Sequence, residues 1–215
     1  RDFHSGLAGA PGFFGQMRRI AQGAQRPSWA WDVGIRGLPH TLGNVAPILA
    51  PGAGINDFFG WIGANFDPSV TWRDLDWVRA EWNGPLIVKG VLDADDAADA
   101  ASVGVNGIVV SNHGGRQLDG VLSSARALPR IAERVGDRMS VLVDGGVRSG
   151  LDVMRMLALG AHGILIGRAW AYALGARGQA GVAHVLDIMA RELRVAMALT
   201  GVTHIADISS DLLDR

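Results

Sequence analysis

The chain has no cysteine among its 215 residues, which excludes disulfide bonds, thiol catalysis and cysteine-ligated metals. Its net charge is only −1, and it has no basic run or base-stacking motif, so we do not expect it to bind nucleic acid. No apolar run approaches the roughly 18 residues that a membrane-spanning helix needs. We also expect no metal ion, because the histidines lack the paired spacing of a zinc site. They are His4, His40, His113, His162, His184 and His204.

Lysine is almost absent as well, since Lys89 is the single lysine among 20 lysine and arginine residues. It lies near the end of an apolar run, residues 85–90, of the kind that forms a buried strand. Lysine presents a compact point charge that can approach a small anionic centre, whereas arginine presents a wide planar fork. Chance placement of a surface lysine would not explain why it is the only lysine or why it lies at the end of a strand. We therefore predict that Lys89 is a site residue.

The segment GIVVSNHGGR at residues 107–116 joins a buried strand to a polar tip. In parallel α/β proteins ligands bind at the carboxyl ends of the strands, so the tip lies where chemistry occurs. His113 is suited to act as a general base near neutral pH, and Arg116 can clamp a carboxylate through two hydrogen bonds. The pair predicts a small acidic substrate that loses a proton. The alternative is a structural loop in which His113 only bonds to the backbone.

The second half of the chain alternates short strands, rich in valine and isoleucine, with helices. The predicted strands cover residues 86–91, 107–112, 140–144 and 162–167, and the predicted helices cover 93–104, 123–135, 149–159 and 169–200, the last interrupted near 175–181. Continuous apolar strands are typical of a parallel sheet buried on both faces. Four such units fit the last half of an eight-stranded (β/α) barrel or part of a doubly wound sheet.

The first part of the chain, residues 1–84, is less regular than the strand–helix units of residues 85–215. We expect it to form a loop or lid with connecting helices. The apolar stretch 45–66 is broken by prolines and glycines, and so long an irregular connection is normally functional. Its aromatic residues can pack as a separate small core or lie in a membrane interface, where tryptophan is enriched. They are Phe58, Phe59, Trp61 and Phe66.

Two successive strand-to-helix loops carry glycine and arginine. Gly145, Gly146 and Arg148 follow the third predicted strand, and Gly167 and Arg168 follow the fourth. Free backbone N–H groups and the positive end of the helix dipole make such loops anion sites. In (β/α)8 barrels the phosphate site follows strands 7 and 8, so these loops predict a phosphate-bearing ligand. Taken alone, they would also suit a phosphate-binding isomerase or synthase.

Four segments together resemble the signature of the FMN-dependent L-2-hydroxy-acid dehydrogenases and oxidases, a family of (β/α)8 TIM barrels. They are VKG at 88–90, SNHGGRQLD at 111–119, DGGVR at 144–148 and LIGR at 165–168. Four others are most similar to the bacterial quinone-linked L-lactate dehydrogenases within it, namely RDFHSG at 1–6, WAWDVG at 29–34, WIGANFDP at 61–68 and DGVLSSARALP at 119–129. The resemblance covers essentially the whole chain. It implies barrel strands 5–8, preceded by a long irregular loop after strand 4.

The resemblance also implies a role for each matching residue. His113 is then the catalytic base, and Arg116 and Arg1 bind the substrate carboxylate. Lys89 contacts the pyrimidine edge of the flavin, where a cation stabilises the negative charge of the reduced ring. The remaining matches are FMN contacts: Ser111, Asp144, Gly145, Gly146, Arg148, Gly167 and Arg168. Relatives often have serine at the position of Gly145. This chain can therefore keep a backbone contact with FMN there, but not a contact through a serine hydroxyl.

For the whole protein the resemblance implies oxidation of L-lactate to pyruvate, with electrons passed from FMN to a membrane quinone. Shared active-site residues do not separate this from an oxidase that passes them to oxygen. We expect a peripheral protein on the cytoplasmic face of the bacterial inner membrane, docked through residues 45–66, and a homotetramer.

The chain starts at Arg1 without a methionine, so we expect it to be a piece of a longer protein. In the resembling family the first four strands carry tyrosines near the substrate, further flavin contacts and an aspartate that orients the histidine. Here Tyr172 is the one tyrosine, and it lies in a predicted helix. We therefore expect those groups upstream of Arg1 and no catalysis by this chain alone. If the natural chain does start at Arg1, a non-catalytic assembly fragment is the alternative.

Overall fold

The computed structural model describes residues 12–38, 43–50 and 52–213, so the prediction for Arg1 lies outside the described residues. The chain divides into two units, one that extends to Val70 and one that starts at Thr71. Residues 71–84 belong to the same unit as the strands.

Helical segments cover residues 13–24, 27–35 and 55–65 of the first unit. Helix α1 covers Phe13–Ala24, a helical turn at Pro27–Trp29 continues as a π-helical turn at Ala30–Ile35, and helix α2 covers Ile55–Asn65. Proline at the first helical position loses no hydrogen bond, which lets Pro27 begin its turn. The carboxylate of Asp57 accepts from the backbone N–H of Gly54 at 2.8 Å and caps the start of α2. The expectation of an irregular segment at residues 45–66 is therefore wrong for its second half.

The aromatic residues of 45–66 were expected either to form a separate small core or to lie in a membrane interface. The rings of Phe58 and Phe59 have centroids 5.8 Å apart and planes tilted by 51°. Phe58 and Trp61 are half-buried, whereas Phe59 and Phe66 are exposed. Phe59 therefore contacts Phe58 and is exposed at the same time, and neither expectation accounts for all four residues.

Four parallel strands form the sheet of the second unit. Strand β1 covers Ile87–Val91, β2 covers Gly107–Val110, β3 covers Ser140–Val143 and β4 covers Gly163–Ile164. They pair in the order β1-β2-β3-β4, so each strand adds to the same side as the one before it. This order is that of a (β/α) barrel, whereas a doubly wound sheet reverses its strand order at a switch point. The register places Lys89 opposite Val109, and Val109 opposite Leu142.

Helices flank the strands of the second unit and supply half of its core. Their bounds are Leu75–Glu81 (α3), Ala94–Ser102 (α4), Ser124–Val135 (α5), Gly150–Ala158 (α6) and Arg168–Thr200 (α7). Asp93 caps α4 by accepting from the N–H of Asp95 at 2.8 Å. Helical spacing buries Leu128, Ile131 and Val135 on one face of α5, and each such side chain contributes about 1.5–3 kcal/mol. They pack with the buried strand residues Ile108, Val110, Val141 and Val143.

Helix α7 is broken where the sequence predicts an interruption. Gly178 has φ 56° and ψ −143°, a non-helical conformation that glycine adopts at little steric cost. Beyond the break α7 packs closely on α6, since a Cβ at Gly150 would collide with the backbone of Met189 and Leu193. Although α7 covers 33 residues, no helix within the described ranges is long and apolar enough to cross a membrane.

Candidate active site

The carboxyl ends of β1, β2 and β3 bring three polar side chains into contact. The Lys89 ammonium lies 2.7 Å from Asp144 Oδ2 and donates to Ser111 Oγ at 2.7 Å. Neighbouring strands lie only about 4.8 Å apart, which lets side chains from adjacent strand ends reach one another. Gly90 has φ 105°, and the register shifts there, so pairing is interrupted directly after Lys89. The lone lysine therefore lies among the other predicted site residues.

His113 adopts a left-handed backbone conformation, with φ 55°, that no other non-glycine residue in the described ranges shares. This conformation costs roughly 1–2 kcal/mol for an L-residue, and such strain clusters at functional sites. Two local hydrogen bonds hold it. Ser111 Oγ accepts from the His113 N–H at 3.0 Å, and Asn112 Oδ1 accepts from the Gly114 N–H at 3.0 Å. No hydrogen bond joins the imidazole to another described residue, so the structural-loop alternative gains no support.

The strand ends open into a cleft of about 610 Å³. Most of the predicted site residues line it, namely Lys89, His113, Arg116, Asp144, Gly145, Gly146, Arg148, Gly167 and Arg168. Ser111 is only 2% exposed and lies behind this lining. Because lysine and arginine outnumber the single carboxylate, the cleft favours an anionic ligand.

The two helix N-termini at the cleft are not equally suited to an anion. At the start of α6, the carboxylates of Asp152 and Glu192 accept from the backbone N–H groups of Arg148 and Gly150, at 3.0 and 2.7 Å. A phosphate would meet negative charge there, and Arg148 can contribute only its side chain. No described side chain caps α7, which begins at Arg168. Its N–H groups and the Arg168 guanidinium therefore form the better phosphate site.

Close packing between two loops explains the glycine at position 145. Gly145 and Gly146 both have positive φ, 99° and 82°. A Cβ on Gly145 would lie 2.9 Å from Ser124 Oγ and 3.4 Å from Asn112 Oδ1, whereas one on Gly146 would meet nothing within 4 Å. Ser124 is buried, and its Oγ accepts from the Asn112 N–H at 3.4 Å. A side chain at position 145 would thus disturb the loop that carries His113.

The donors and acceptors of the cleft fit FMN. Asp144 Oδ1 is buried and has no hydrogen-bond partner among the described residues. Leaving such an oxygen unpaired is costly, so a hydroxyl donor on a bound molecule suits this position. Lys89 can face the electron-rich edge of a flavin, and Arg168 can face its phosphate.

Several cleft residues were missed by reasoning from the sequence. Tyr172 lies four residues after Arg168 on α7, so helical spacing could have placed both on one face. Apolar wall residues, Val147, Leu165 and Ala169, carry no chemical signal of their own. Asn112 and Ser124 act through contacts between loops, which the sequence does not reveal.

Comparison with known proteins gives the family. The model of the FMN-dependent dehydrogenase family matches residues 2–215. The chain belongs to this family. Its four strand–helix units are accordingly part of a (β/α)8 barrel of the FMN-dependent hydroxy-acid dehydrogenase type, and the family's cofactor is FMN. The barrel prediction is confirmed.

Individual relatives agree with this assignment. The chain is 64% identical over 215 residues to an L-lactate dehydrogenase of Caulobacter sp. (strain K31), and 57% identical over 215 residues to one of Pseudomonas putida (strain W619). Both matches cover 100% of this chain and 56% of the relative. The chain thus spans about half the length of the curated relatives that it matches.

Solved structures provide two further comparisons. The monotopic membrane protein (S)-mandelate dehydrogenase is 34% identical with a TM-score of 0.83, over 91% of this chain and 51% of that one. A mandelate oxidase with 3,3-difluoro-2-hydroxy-3-phenylpropionic acid is 46% identical with a TM-score of 0.63, over 66% of this chain and 43% of that one.

Proposed function

We propose that this chain supplies the catalytic base and the flavin-side cation of an enzyme that oxidises L-lactate to pyruvate with FMN and passes the electrons to a membrane quinone. One observation carries the proposal. Ser111 Oγ accepts from Lys89 Nζ at 2.7 Å and from the His113 N–H at 3.0 Å, so one hydroxyl joins the lone lysine to the strained histidine. Both side chains face the same cleft. The L-lactate dehydrogenase names of the relatives support the substrate.

Each cleft residue has a distinct task in this reaction, which removes two electrons and two protons from a 2-hydroxy acid. FMN, when bound, supplies the acceptor for the electron pair. Arg116 holds the substrate carboxylate by charge-assisted hydrogen bonds, with Arg1 as the second carboxylate ligand, and thereby fixes the position of Cα. His113 accepts a proton that the substrate loses. Lys89 stabilises negative charge that increases as the reaction proceeds, so it favours the transition state over the ground state.

The remaining polar residues hold the cofactor. Asp144 Oδ1 accepts from a ribityl hydroxyl, and Arg148 and Arg168 bind the phosphate together with the backbone at Gly145, Gly146 and Gly167. Ser111 supports the flavin side of the cleft through Lys89. Membership of the FMN-dependent dehydrogenase family leaves the phosphate-binding isomerase or synthase without support.

We further propose that the enzyme is peripheral, bound to the cytoplasmic face of the inner membrane through residues 45–66, and tetrameric. The exposed Phe59 and Phe66 support the membrane contact, because exposed apolar side chains such as phenylalanine bury in the headgroup boundary when a protein lies on a membrane. A structural relative is named as a monotopic membrane protein, which supports membrane association without a spanning helix. Tetramer formation rests on family resemblance alone.

Anaerobic spectroscopy of the FMN-loaded enzyme tests the function. We expect L-lactate to bleach the flavin absorbance under nitrogen, and a soluble quinone analogue to restore it faster than oxygen does. L-Mandelate serves as the comparison substrate, and we expect it to bleach the flavin more slowly. Absence of bleaching by L-lactate would contradict the substrate, and faster reoxidation by oxygen would favour the oxidase alternative, which the mandelate oxidase neighbours represent.

A further inference from the structure

The Lys89 ammonium is held by two acceptors of different charge. Asp144 Oδ2 is an anionic acceptor at 2.7 Å, and Ser111 Oγ is a neutral one at 2.7 Å. A lysine ammonium has three N–H donors, so these two contacts leave one for a molecule in the cleft. Two fixed acceptors therefore orient the third donor, which a flexible lysine on an open surface would not achieve.

Asp144 also changes the charge that a ligand meets. Its side chain is 18% exposed and that of Lys89 is 42% exposed, so the carboxylate is the less exposed of the two groups. A bound group beside Lys89 therefore meets an ammonium that has a negative counter-charge 2.7 Å away. Electrostatic interactions strengthen where water is excluded, so this counter-charge weakens the attraction of Lys89 for an anion more than it would in water.

We propose that Lys89 and Asp144 act as one charge-compensated pair and that this pair, not the lysine alone, sets the reduction potential of bound FMN. Asp144 is the positioning residue: it holds the ammonium and cancels part of its charge. This inference rests on the proposed function, because it takes Lys89 to face the flavin. Ser111 holds the same ammonium without changing the charge, which provides a matched comparison.

Three variants of the FMN-loaded enzyme separate charge from position. Asp144→Asn removes the negative charge and keeps an amide oxygen for Lys89. Lys89→Met removes the cation and keeps an unbranched side chain. The double variant removes both charges. Reduced flavin is more negative than oxidised flavin, so we expect the potential to be highest in Asp144→Asn and lowest in Lys89→Met. The parent and the double variant should lie between them.

Dye-equilibration potentiometry measures these potentials, and Ser111→Ala is the control that removes an acceptor without a change of charge. Its potential should move less than that of Asp144→Asn. The inference would be overturned by an unchanged or lower potential in Asp144→Asn, or by a double variant that equals Lys89→Met. If Asp144→Asn binds FMN more weakly but has an unchanged potential, Asp144 is a cofactor contact only and the inference is likewise overturned.

A second measurement keeps the test decisive if a variant binds FMN weakly. The ratio of the affinities of the apoprotein for oxidised and reduced FMN gives the potential shift by linkage, so the order of the four proteins can be read from titrations. Failure of the proposed function has a different signature, because the parent would then show no bleaching by L-lactate. A parent that is bleached but gives the wrong order contradicts the charge-pair inference alone.

Discussion

His113 combines three features at one residue: a left-handed backbone, two glycine neighbours and an imidazole that faces the cleft. Ser111 Oγ and Asn112 Oδ1 stabilise this strained backbone by accepting from backbone N–H groups. Neither oxygen bonds to the imidazole ring. The backbone of His113 is therefore held in place, and no described residue bonds to the ring nitrogens. A general base needs ring nitrogens that can reach the substrate.

Replacing His113 by alanine should abolish the proton transfer and leave the cofactor bound. We expect the rate of flavin reduction by L-lactate to fall by about 10²–10⁴-fold, the usual contribution of a positioned general base. Stopped-flow absorbance under nitrogen measures this rate, and the flavin-to-protein absorbance ratio measures retention. His184→Ala, an exposed histidine on α7, is the control and should react like the parent. Near-parental reduction in His113→Ala would remove this residue from the mechanism.

Lys89→Arg should impair the enzyme although it keeps the charge. A guanidinium is planar and wider than an ammonium, so it cannot make the same contacts with Asp144 Oδ2 and Ser111 Oγ. We expect a lower FMN affinity or slower flavin reduction, by about 10-fold or more, since loss of one charge-assisted hydrogen bond is worth about 1.5–3 kcal/mol. Parental values for both quantities would contradict the role given to the single lysine.

A side chain at Gly145 should cost more stability than one at Gly146. Alanine is strained at both, because both have positive φ, but only at Gly145 does it meet Ser124 Oγ and Asn112 Oδ1. Overpacking of this kind costs about 1–3 kcal/mol in addition to the shared strain. Urea unfolding with saturating FMN measures the difference, and adding Ser124→Ala should recover part of the loss in Gly145→Ala. Equal losses at the two glycines would show that the contact with Ser124 is unimportant.

At the scale of helices and strands, the sequence predicted most clearly those elements whose apolar pattern is uninterrupted. The valine- and isoleucine-rich runs at β1, β2 and β3 were placed to within a few residues, because each run is almost continuously apolar. Only β2 is buried along its whole length. Strand β4 is shorter than predicted, with only Gly163–Ile164 paired, although Leu165 N–H still donates to Val143 O at 2.9 Å. Helix α2 was missed because glycines at 60 and 63 resemble loop residues.

The start of α3 is pH-sensitive through Asp74. The Thr71 hydroxyl and backbone N–H donate to Asp74 Oδ2 at 2.7 and 2.6 Å, and these bonds lower the pKa of Asp74. A carboxylate with a lower pKa in the folded state contributes stability above its unfolded-state pKa. That contribution is lost as the pH falls through the folded-state pKa.

Asp74→Asn should therefore destabilise the protein at neutral pH and make less difference at acidic pH. Urea midpoints of parent and variant at several pH values between neutrality and strong acid measure the effect. Asp76→Asn, two residues further along and without a bond to Thr71, is the control. If Asp74→Asn destabilises the protein equally at pH values above and below the ordinary pKa of aspartate, the bonds from Thr71 do not depend on the charge of Asp74.

At the scale of the whole molecule, the predicted site residues converge because they follow neighbouring strands of one parallel sheet. Their strand-end positions can be read from the alternation of apolar runs and polar tips, which is why Lys89, His113 and Asp144 could be named from the sequence. Asn112 and Ser124 could not, because their roles depend on how separate loops pack, whereas Tyr172 could have been found from its helical spacing to Arg168. The difference between the N-termini of α6 and α7 also depends on packing, since Glu192 reaches Gly150 from a distant part of the chain.

The proposed docking of the whole molecule to the bilayer through residues 45–66 can be tested directly. The stretch has few charges and carries the exposed Phe59 and Phe66, so its contact with the membrane should be apolar. Detergent should therefore release the protein from membranes more readily than salt does. We expect the triple variant of Phe58, Phe59 and Trp61 to serine to bind lipid vesicles at least about 10-fold more weakly, since each buried aromatic side chain contributes about 1.5–3 kcal/mol.

The two half-reactions of the same triple variant distinguish docking from a structural role. Flavin reduction by L-lactate should stay near the parental rate, because the substrate is water-soluble and the cleft residues are unchanged. Reduction of a quinone embedded in vesicles should fall, because that acceptor lies in the bilayer. Trp77→Ser, which removes a tryptophan that is 66% exposed on α3, is the matched control and should change neither rate. A triple variant that still binds vesicles and reduces the embedded quinone normally would leave the aromatic residues of α2 with a packing role only.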